Sequence, residues 1–277
     1  MNDANRLAKR GARQPVSRSL ARAGYVLRAF LYVYMGYVAL RITITGAVRS
    51  ADPQASLVAI AGFPLGRILL IAAVVLLFAY ALWGFVRAVY DPLDRGGDAK
   101  GIATRVAFAF SGFAYVALAF FAIGLLSHGA SGKHPDEITQ VAGRVLSAPA
   151  GILVVALAGL VAIVAGLGQF VEAYRATFQR DLKRRQMSHR EKQLAQVLGQ
   201  LGFVSRGLVF LLMGWFIVLA AIEHNAHEAR GFSGVFAYLL VQAYGRPLLA
   251  ILALGFIALG LHSLALARYI RLPGERH

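Results

Sequence analysis

Six stretches of the chain, roughly residues 25–46, 66–90, 105–126, 149–173, 203–222 and 247–269, are apolar almost without interruption. Each is about 20 residues or longer, enough for a helix to cross a hydrocarbon core about 30 Å thick. The runs are continuous rather than alternating, so they predict helices and not the strands of a membrane barrel. All eight prolines lie outside the middles of the runs. Pro64, Pro149 and Pro247 sit at or near the starts of the second, fourth and sixth, where a missing N–H costs nothing. The predicted helices are therefore unbroken. Between the runs, Asp52-Pro53 opens a short amphipathic stretch with Leu57, Val58, Ile60 and Ala61, and Phe232, Val235, Phe236 and Leu239 recur at helical spacing. These short segments are expected along the outer interface, one capping each pair of long helices.

The runs repeat. Gly24-Tyr25-x-x-Arg28-x-x-x-Tyr32-x-x-Met35-Gly36 returns 178 positions later as Gly202-Phe203-x-x-Arg206-x-x-x-Phe210-x-x-Met213-Gly214. A weaker third copy lies between them and aligns Ser111, Tyr115 and Ala119 with Arg28, Tyr32 and Gly36. In the second helix of each pair, Pro64-Leu65-Gly66 matches Pro149-Ala150-Gly151, and Gly66-Arg67 matches Gly245-Arg246. Trp83, Gly168 and His262 also fall together. The reading is an all-α integral membrane protein of six transmembrane helices in three parallel two-helix repeats. The repeats occupy 23–100, 101–187 and 188–277, behind a basic segment 1–22. Units with an even number of spans share one orientation, related by an axis along the membrane normal.

Composition supports this and charge orients it. The 277 residues are 58% hydrophobic and 15% charged, against about 25% charged in soluble domains. The net charge of +16 in a soluble protein would suggest nucleic acid. Here the N-terminus, 91–104, 174–202 and 268–277 carry 18 Lys and Arg, while the opposite loops carry 6. That bias predicts both termini in the cytoplasm. It calls for anionic lipid headgroups as partners and for no nucleic acid. The absence of cysteine excludes disulfides and thiolate metal or iron–sulfur sites. The longest basic loop, 174–202, is the expected surface for a cytoplasmic or membrane protein partner. Tyr174–Arg185 reads as an extension of the fourth helix. Ser188-x-x-Glu191 reads as a capping box, followed by the apolar stripe Leu194, Val197, Leu198 and Leu201.

Few polar residues enter the runs. Arg28 and Arg206 lie about one turn inside. They are candidate contacts for an anionic substrate or lipid headgroup, or structural residues that snorkel or cap carbonyls. Ser111, Gln169, Glu172 and His262 are candidate intramembrane polar contacts, and a pairing of Glu172 with one of the arginines is open. A lone His such as His262 more often bonds a neighbouring helix than a metal or proton path. His224 and His227, spaced i, i+3, are weak metal candidates. Ala158, Ala162 and Gly166 form a small-residue packing face. No pair of deep carboxylates and no nucleophile or phosphate-loop motif is present. The expectation is a non-enzymatic structural, lipid-associated or accessory protein without cofactor or metal. A transporter or channel for a small or anionic solute is the alternative.

The residues Ala23-Gly24-Tyr25-x-x-Arg28, Tyr174-Arg175-Ala176, Leu201-Gly202-Phe203-x-x-Arg206-Gly207, Met213-Gly214-Trp215, Gln242-x-Tyr244-Gly245-Arg246 and Ala267-Arg268-Tyr269 carry a resemblance. From about Ala21 to Arg271 the chain resembles the bacterial domain-of-unknown-function family numbered 1206. The resemblance implies a bacterial inner (cytoplasmic) membrane protein with three repeats of two transmembrane helices, and it implies no activity, substrate or catalytic residue.

Overall fold

The computed structural model describes residues 15–46, 51–90, 99–128 and 137–269, and these are helical without a β-strand. Six long helices are α1 (Pro15–Thr45), α3 (Gly66–Tyr90), α4 (Ala99–His128), α6 (Gly151–Arg175), α7 (His189–Ile222) and α9 (Gly245–Tyr269). Each is long and apolar enough to cross a membrane. Three short helices, α2 (Pro53–Ala61), α5 (Glu137–Leu146) and α8 (Phe232–Leu240), follow α1, α4 and α7 and gather at one end of the bundle. We call this the far end, and the end where α1 starts and α9 finishes the near end. The first helix is described from Pro15, ahead of its apolar run. Most of the basic segment 1–22, the C-terminal residues 270–277 and the two loops 91–98 and 129–136 lie outside the described residues.

Helix packing follows the repeats with a twist of partner. The first long helix of each repeat packs most closely on the second long helix of the preceding repeat: α1 on α9, α4 on α3, α7 on α6. Small residues make these contacts backbone against backbone. A Cβ on Gly36 would lie 2.6 Å from the Ala253 carbonyl, and one on Gly260 2.9 Å from the Ala29 carbonyl. On α7 and α6, Gly214 faces Gly159 at 2.7 Å and Gly207 faces Gly166 at 3.0 Å. Gly112 on α4 faces Ala81 on α3 at 3.2 Å. Within a repeat, α7 also packs on α9 and α1 on α3, whereas among the described residues α4 and α6 form no comparable interface with each other.

Two of the short helices, α2 and α8, bury one face in the bundle rather than lying on its surface, whereas α5 buries Ala142 and keeps Gln140, Val141 and Arg144 exposed. Val235, Phe236 and Leu239 of α8 join Met35, Ile42, Leu249, Leu252 and Phe256 in the largest apolar cluster. Ser56 of α2 is fully buried, its Oγ donating to the Leu31 carbonyl at 3.3 Å. Inserting into the bundle removes more apolar area from contact with polar surroundings than lying flat would. Asp52 caps α2 as its sequence predicts, accepting from the Ala55 N–H at 2.7 Å. Its other oxygen accepts from Ser233 Oγ at 2.5 Å, and Ser233 Oγ accepts from the Ala51 N–H at 3.1 Å. These bonds tie the far end of the first repeat to that of the third.

Each short helix turns into the following long helix through one glycine. At Gly66, Gly151 and Gly245 a Cβ would overlap the carbonyl oxygen of Ala61, Val145 and Leu239 respectively. The aligned Gly66, Gly151 and Gly245 of the repeat are therefore a requirement for space. At the near end, 176–187 corrects the expected helical extension. The fourth long helix stops at Arg175 because Ala176 turns left-handed, with φ 47°. Two 3-10 turns then fold back, burying Phe178, Leu182 and Met187 against the bundle. Lys183 N–H bonds the last carbonyl of α9, at Tyr269, at 2.8 Å. The capping box forms as read: Glu191 N–H donates to Ser188 Oγ at 3.2 Å, and Ser188 N–H to the Glu191 carboxylate at 2.8 Å. The fifth long helix runs 34 residues, about 51 Å at 1.5 Å per residue, and so overhangs its apolar portion at the near end.

The glycine turns give a direct test. Gly245→Ala and Gly151→Ala are expected to lower stability by about 1–3 kcal/mol each, as overpacking does. Gly168→Ala, with nothing within 4 Å of its Cβ position, is expected to change it little. Thermal unfolding in detergent by circular dichroism ranks the three. Equal melting temperatures would remove the spatial explanation.

Candidate functional site

The central position of the repeat is the residue just before the close-contact residue on α1, α4 and α7. Ala29, Gly112 and Gly207 touch the neighbouring helix, so Arg28, Ser111 and Arg206 stand about 100° around the helix from that contact. Arg206 donates through Nη1 to Tyr32 Oη at 3.1 Å and through Nε to Gln169 Oε1 at 3.1 Å, and its Nη2 also meets Gln169 Oε1. Arg28 donates through Nη1 to Tyr80 Oη at 3.0 Å. Aromatic rings support both guanidiniums: Arg28 lies 5.3 Å from the Tyr32 ring centre, Arg206 5.1 Å from Phe203 and 6.0 Å from Phe210. Tyr80 packs on Tyr115 with ring centres 4.5 Å apart and edge-on to Tyr25 at 5.7 Å. The result is one polar seam, Gln169–Arg206–Tyr32 and Arg28–Tyr80–Tyr115, drawn from α6, α7, α1, α3 and α4.

A third arginine continues it. Arg87 of α3 is 8% exposed and faces the Phe108 ring at 4.2 Å, with Tyr80 and Trp83 each at 5.8 Å. No described carboxylate lies within ion-pair range of Arg28, Arg87 or Arg206; the ion pair among the described residues whose partners are fixed joins Arg230 to Glu228 at the far end. The seam is also rich in donors. Each guanidinium carries five N–H groups, and each phenol one O–H. The acceptors facing them are the phenol oxygens and Gln169 Oε1. Arg28 Nε and Arg87 Nε are buried without an acceptor among the described residues. Buried donors left without acceptors cost about 1–3 kcal/mol each, and more when charged.

The other sequence candidates lie around this seam. Gln169 belongs to it. Ser111 occupies the arginine position of the second repeat and is half-buried. Glu172 does not reach an arginine; its carboxylate accepts from the Thr177 hydroxyl at the turn after α6. His262 is 1% exposed, with Nδ1 3.0 Å from the Ala195 carbonyl and its ring edge-on to Phe178 at 4.8 Å. It joins α9 to α7, as a lone helix histidine was expected to do. His224 and His227 are exposed, and among the described residues no group of three His, Asp or Glu side chains comes together. The carbonyl-capping role falls to Arg105, which donates from α4 to Ala88 and Val89 at the end of α3 at 2.7 and 2.8 Å. Sequence reading missed Tyr80, and it noted Tyr115 only as the counterpart of Tyr32. The available signal was a tyrosine at position 80 where the other repeats carry Ala165 and Leu259.

These features define a class: a helical bundle of three two-helix repeats, six of its helices long enough to span a membrane, with an arginine–tyrosine seam that holds no carboxylate among the described residues. The chain belongs to the family described as Domain of Unknown Function (DUF1206), whose model matches residues 23–91, 106–176 and 201–269, one segment per repeat. It is similar to the uncharacterized protein YxxB of Bacillus subtilis strain 168, 26% identical over 263 residues that cover 95% of this chain and 94% of that one. No solved structure matches it.

The bridging role of Gln169 can be measured. Gln169→Leu leaves Arg206 short of an acceptor and is expected to cost about 1.5–3 kcal/mol, as for hydrogen bonds to charged groups. Adding Arg206→Met to that variant should restore most of the loss. A double-mutant cycle by thermal unfolding tests this, and additive losses would mean that the two side chains are not coupled.

Proposed function

We propose that this is a polytopic inner-membrane protein with both termini cytoplasmic, and that its central seam binds an anionic group. The protein acts without catalysis, as a lipid-associated or accessory component. The observation that carries the reading is the surplus of cationic donors in the seam, with Arg28, Arg87 and Arg206 facing aromatic rings, phenols and one amide. Guanidiniums kept from bulk water without a counter-charge cost several kcal/mol each on the order of a buried ion's desolvation. A phosphate or carboxylate oxygen offers the acceptors these groups lack and the charge that offsets theirs. Arg28, Arg206, Tyr32, Tyr115 and Gln169 are each half-buried rather than fully enclosed. The charge bias of the loops supports the topology. The exposed Arg175, Arg185 and Arg190 around 174–202, beside exposed Leu194 and Val197, suit an anionic membrane surface or a partner bound there.

The same partial exposure favours a second reading, in which the seam passes a small anion and the protein is a transporter. Flux of inorganic phosphate into vesicles that falls on Arg28→Gln would support it.

Two measurements test the first reading. Single cysteines at the exposed positions Arg190 and His227 in this cysteine-free chain should label from opposite sides of right-side-out vesicles, His227→Cys alone reacting with an impermeant maleimide. Equal labelling overturns the topology. In detergent, inorganic phosphate or phosphatidylglycerol should raise the melting temperature of the wild type. The double variant Arg28→Gln, Arg206→Gln should lose at least most of that rise. A rise unchanged in the variant would remove the arginines from the site.

A further inference from the structure

The middle repeat is built differently from the other two at one place. In the first repeat Tyr80 fills the space between the two long helices, meeting Tyr25 of α1, and in the third Leu259 does so, meeting Gly202 of α7. The equivalent residue of the second repeat is Ala165. One turn on, Trp83 and His262 correspond to Gly168, and Arg28 and Arg206 correspond to Ser111. All three substitutions remove side-chain volume, and all three lie at the level of the arginine seam.

Their effect is visible in the packing. His262 meets Gly199 across the third hairpin, with a Gly199 Cβ 3.2 Å from its ring, whereas Gly168 has nothing within 4 Å. Gly255 packs against Ser205, whereas its counterpart Val161 is 45% exposed. On the other wall Ala114 is exposed. The hairpin of α4 and α6 is thus parted. Tyr115 on α4 and Gln169 on α6, the two ends of the polar seam, flank the parting, and both keep exposed surface. Val154 and Val161, on the face of α6 that carries Ala165 and Gly168, and Ala114 on α4 are exposed, and Arg28 Nε in the seam has no acceptor among the described residues.

We propose that the cleft between α4 and α6 is a lateral entrance, and that its ligand is a lipid with an anionic headgroup. The headgroup lies against Arg28 and Arg206 while an acyl chain lies along α4 and α6. This rests on the anion-binding reading above and names its ligand class. Charge complementarity selects the occupant. A second copy of the chain would bring only apolar walls to the cleft, leaving the guanidiniums as they are, whereas a lipid phosphate supplies oxygen acceptors and hydrocarbon together.

The test uses the full chain purified in a neutral detergent. Native mass spectrometry reads retention of phosphatidylglycerol, with phosphatidylcholine as control, and thermal shift reads inorganic phosphate. The variant is Gly168→Phe, which fills the cleft from a position with open space and leaves every seam residue in place. Ala165→Leu, copying the third repeat, is a second variant should the first lose its melting transition. The wild type should retain phosphatidylglycerol over phosphatidylcholine. The cleft variants should weaken that retention by about tenfold or more, while the shift with inorganic phosphate stays. Undiminished phosphatidylglycerol retention in both variants overturns the lateral entrance but leaves the anion site standing. A wild type that binds phosphate and no lipid overturns the lipid assignment. A wild type that binds neither overturns the anion reading itself. A dimer that dissociates on Gly168→Phe with lipid retention unchanged identifies a second copy as the occupant, and the inference falls.

Discussion

Backbone contact between consecutive repeats is the constraint from which the rest of this structure follows. Where Gly36 meets Ala253, Gly260 meets Ala29, Gly207 meets Gly166 and Gly214 meets Gly159, the helices approach too closely to tolerate a side chain. Two such points on each of these helix pairs fix both rotation and height, since the close-contact residues recur one helical face apart. Once that face is fixed, the preceding residue is fixed too. Arg28 and Arg206 precede Ala29 and Gly207, so their side chains leave the contact face and enter the space between pairs of helices. The arginines do not choose the centre of the bundle; the small residues after them put them there.

The same geometry explains why the two arginines find different partners. On α6 the residue three beyond the contact glycine Gly166 is Gln169, and Arg206 donates to its side-chain amide oxygen. The matching residue on α9, three beyond Gly260, is Ser263. Its hydroxyl donates to the Leu259 carbonyl of its own helix at 2.9 Å, a local bond that short hydroxyl side chains favour in helices. Arg28 therefore turns to Tyr80 of its own hairpin. Tyr80 packs on Tyr115, which reaches the second repeat. One amide in place of one hydroxyl has sent the seam across five helices rather than closing it within repeats.

Much of this was legible in the chain. Continuous apolar runs, the doubled Gly-x-x-x-Arg motif and the aligned Gly66, Gly151 and Gly245 specify helices and their repetition, because each reflects a local or steric demand. Ser188 and Glu191 declared a helix start for the same reason. Two features depended on tertiary competition that local pattern does not carry. Residues 176–185 have helical spacing and charge, yet Phe178, Leu182 and Met187 bury more by folding back under the bundle than they would on an exposed helix. The apolar faces of α2 and α8 suited an interface or a core equally, and packing against the long helices at the far end decided for the core. Tyr80 was hidden because a tyrosine in an apolar run reads as packing until a donor from another helix is seen beside it.

Departure from threefold symmetry at Ser111 then has a physical logic of its own. A guanidinium there would add a further cation to Arg28, Arg87 and Arg206. Its counterpart of Gln169 on α3 is Gly84, which offers no side-chain oxygen. Like charges in a medium of low dielectric repel strongly, and the phenols already accept from their neighbours. Serine removes that repulsion and, with Ala165 and Gly168, leaves the middle hairpin without the side chains that close the other two. Loss of charge and loss of volume therefore occur in the same repeat, at the same level. Two repeats supply the cations and hold the bundle shut around them, and the third keeps the fold while leaving its own hairpin parted beside them.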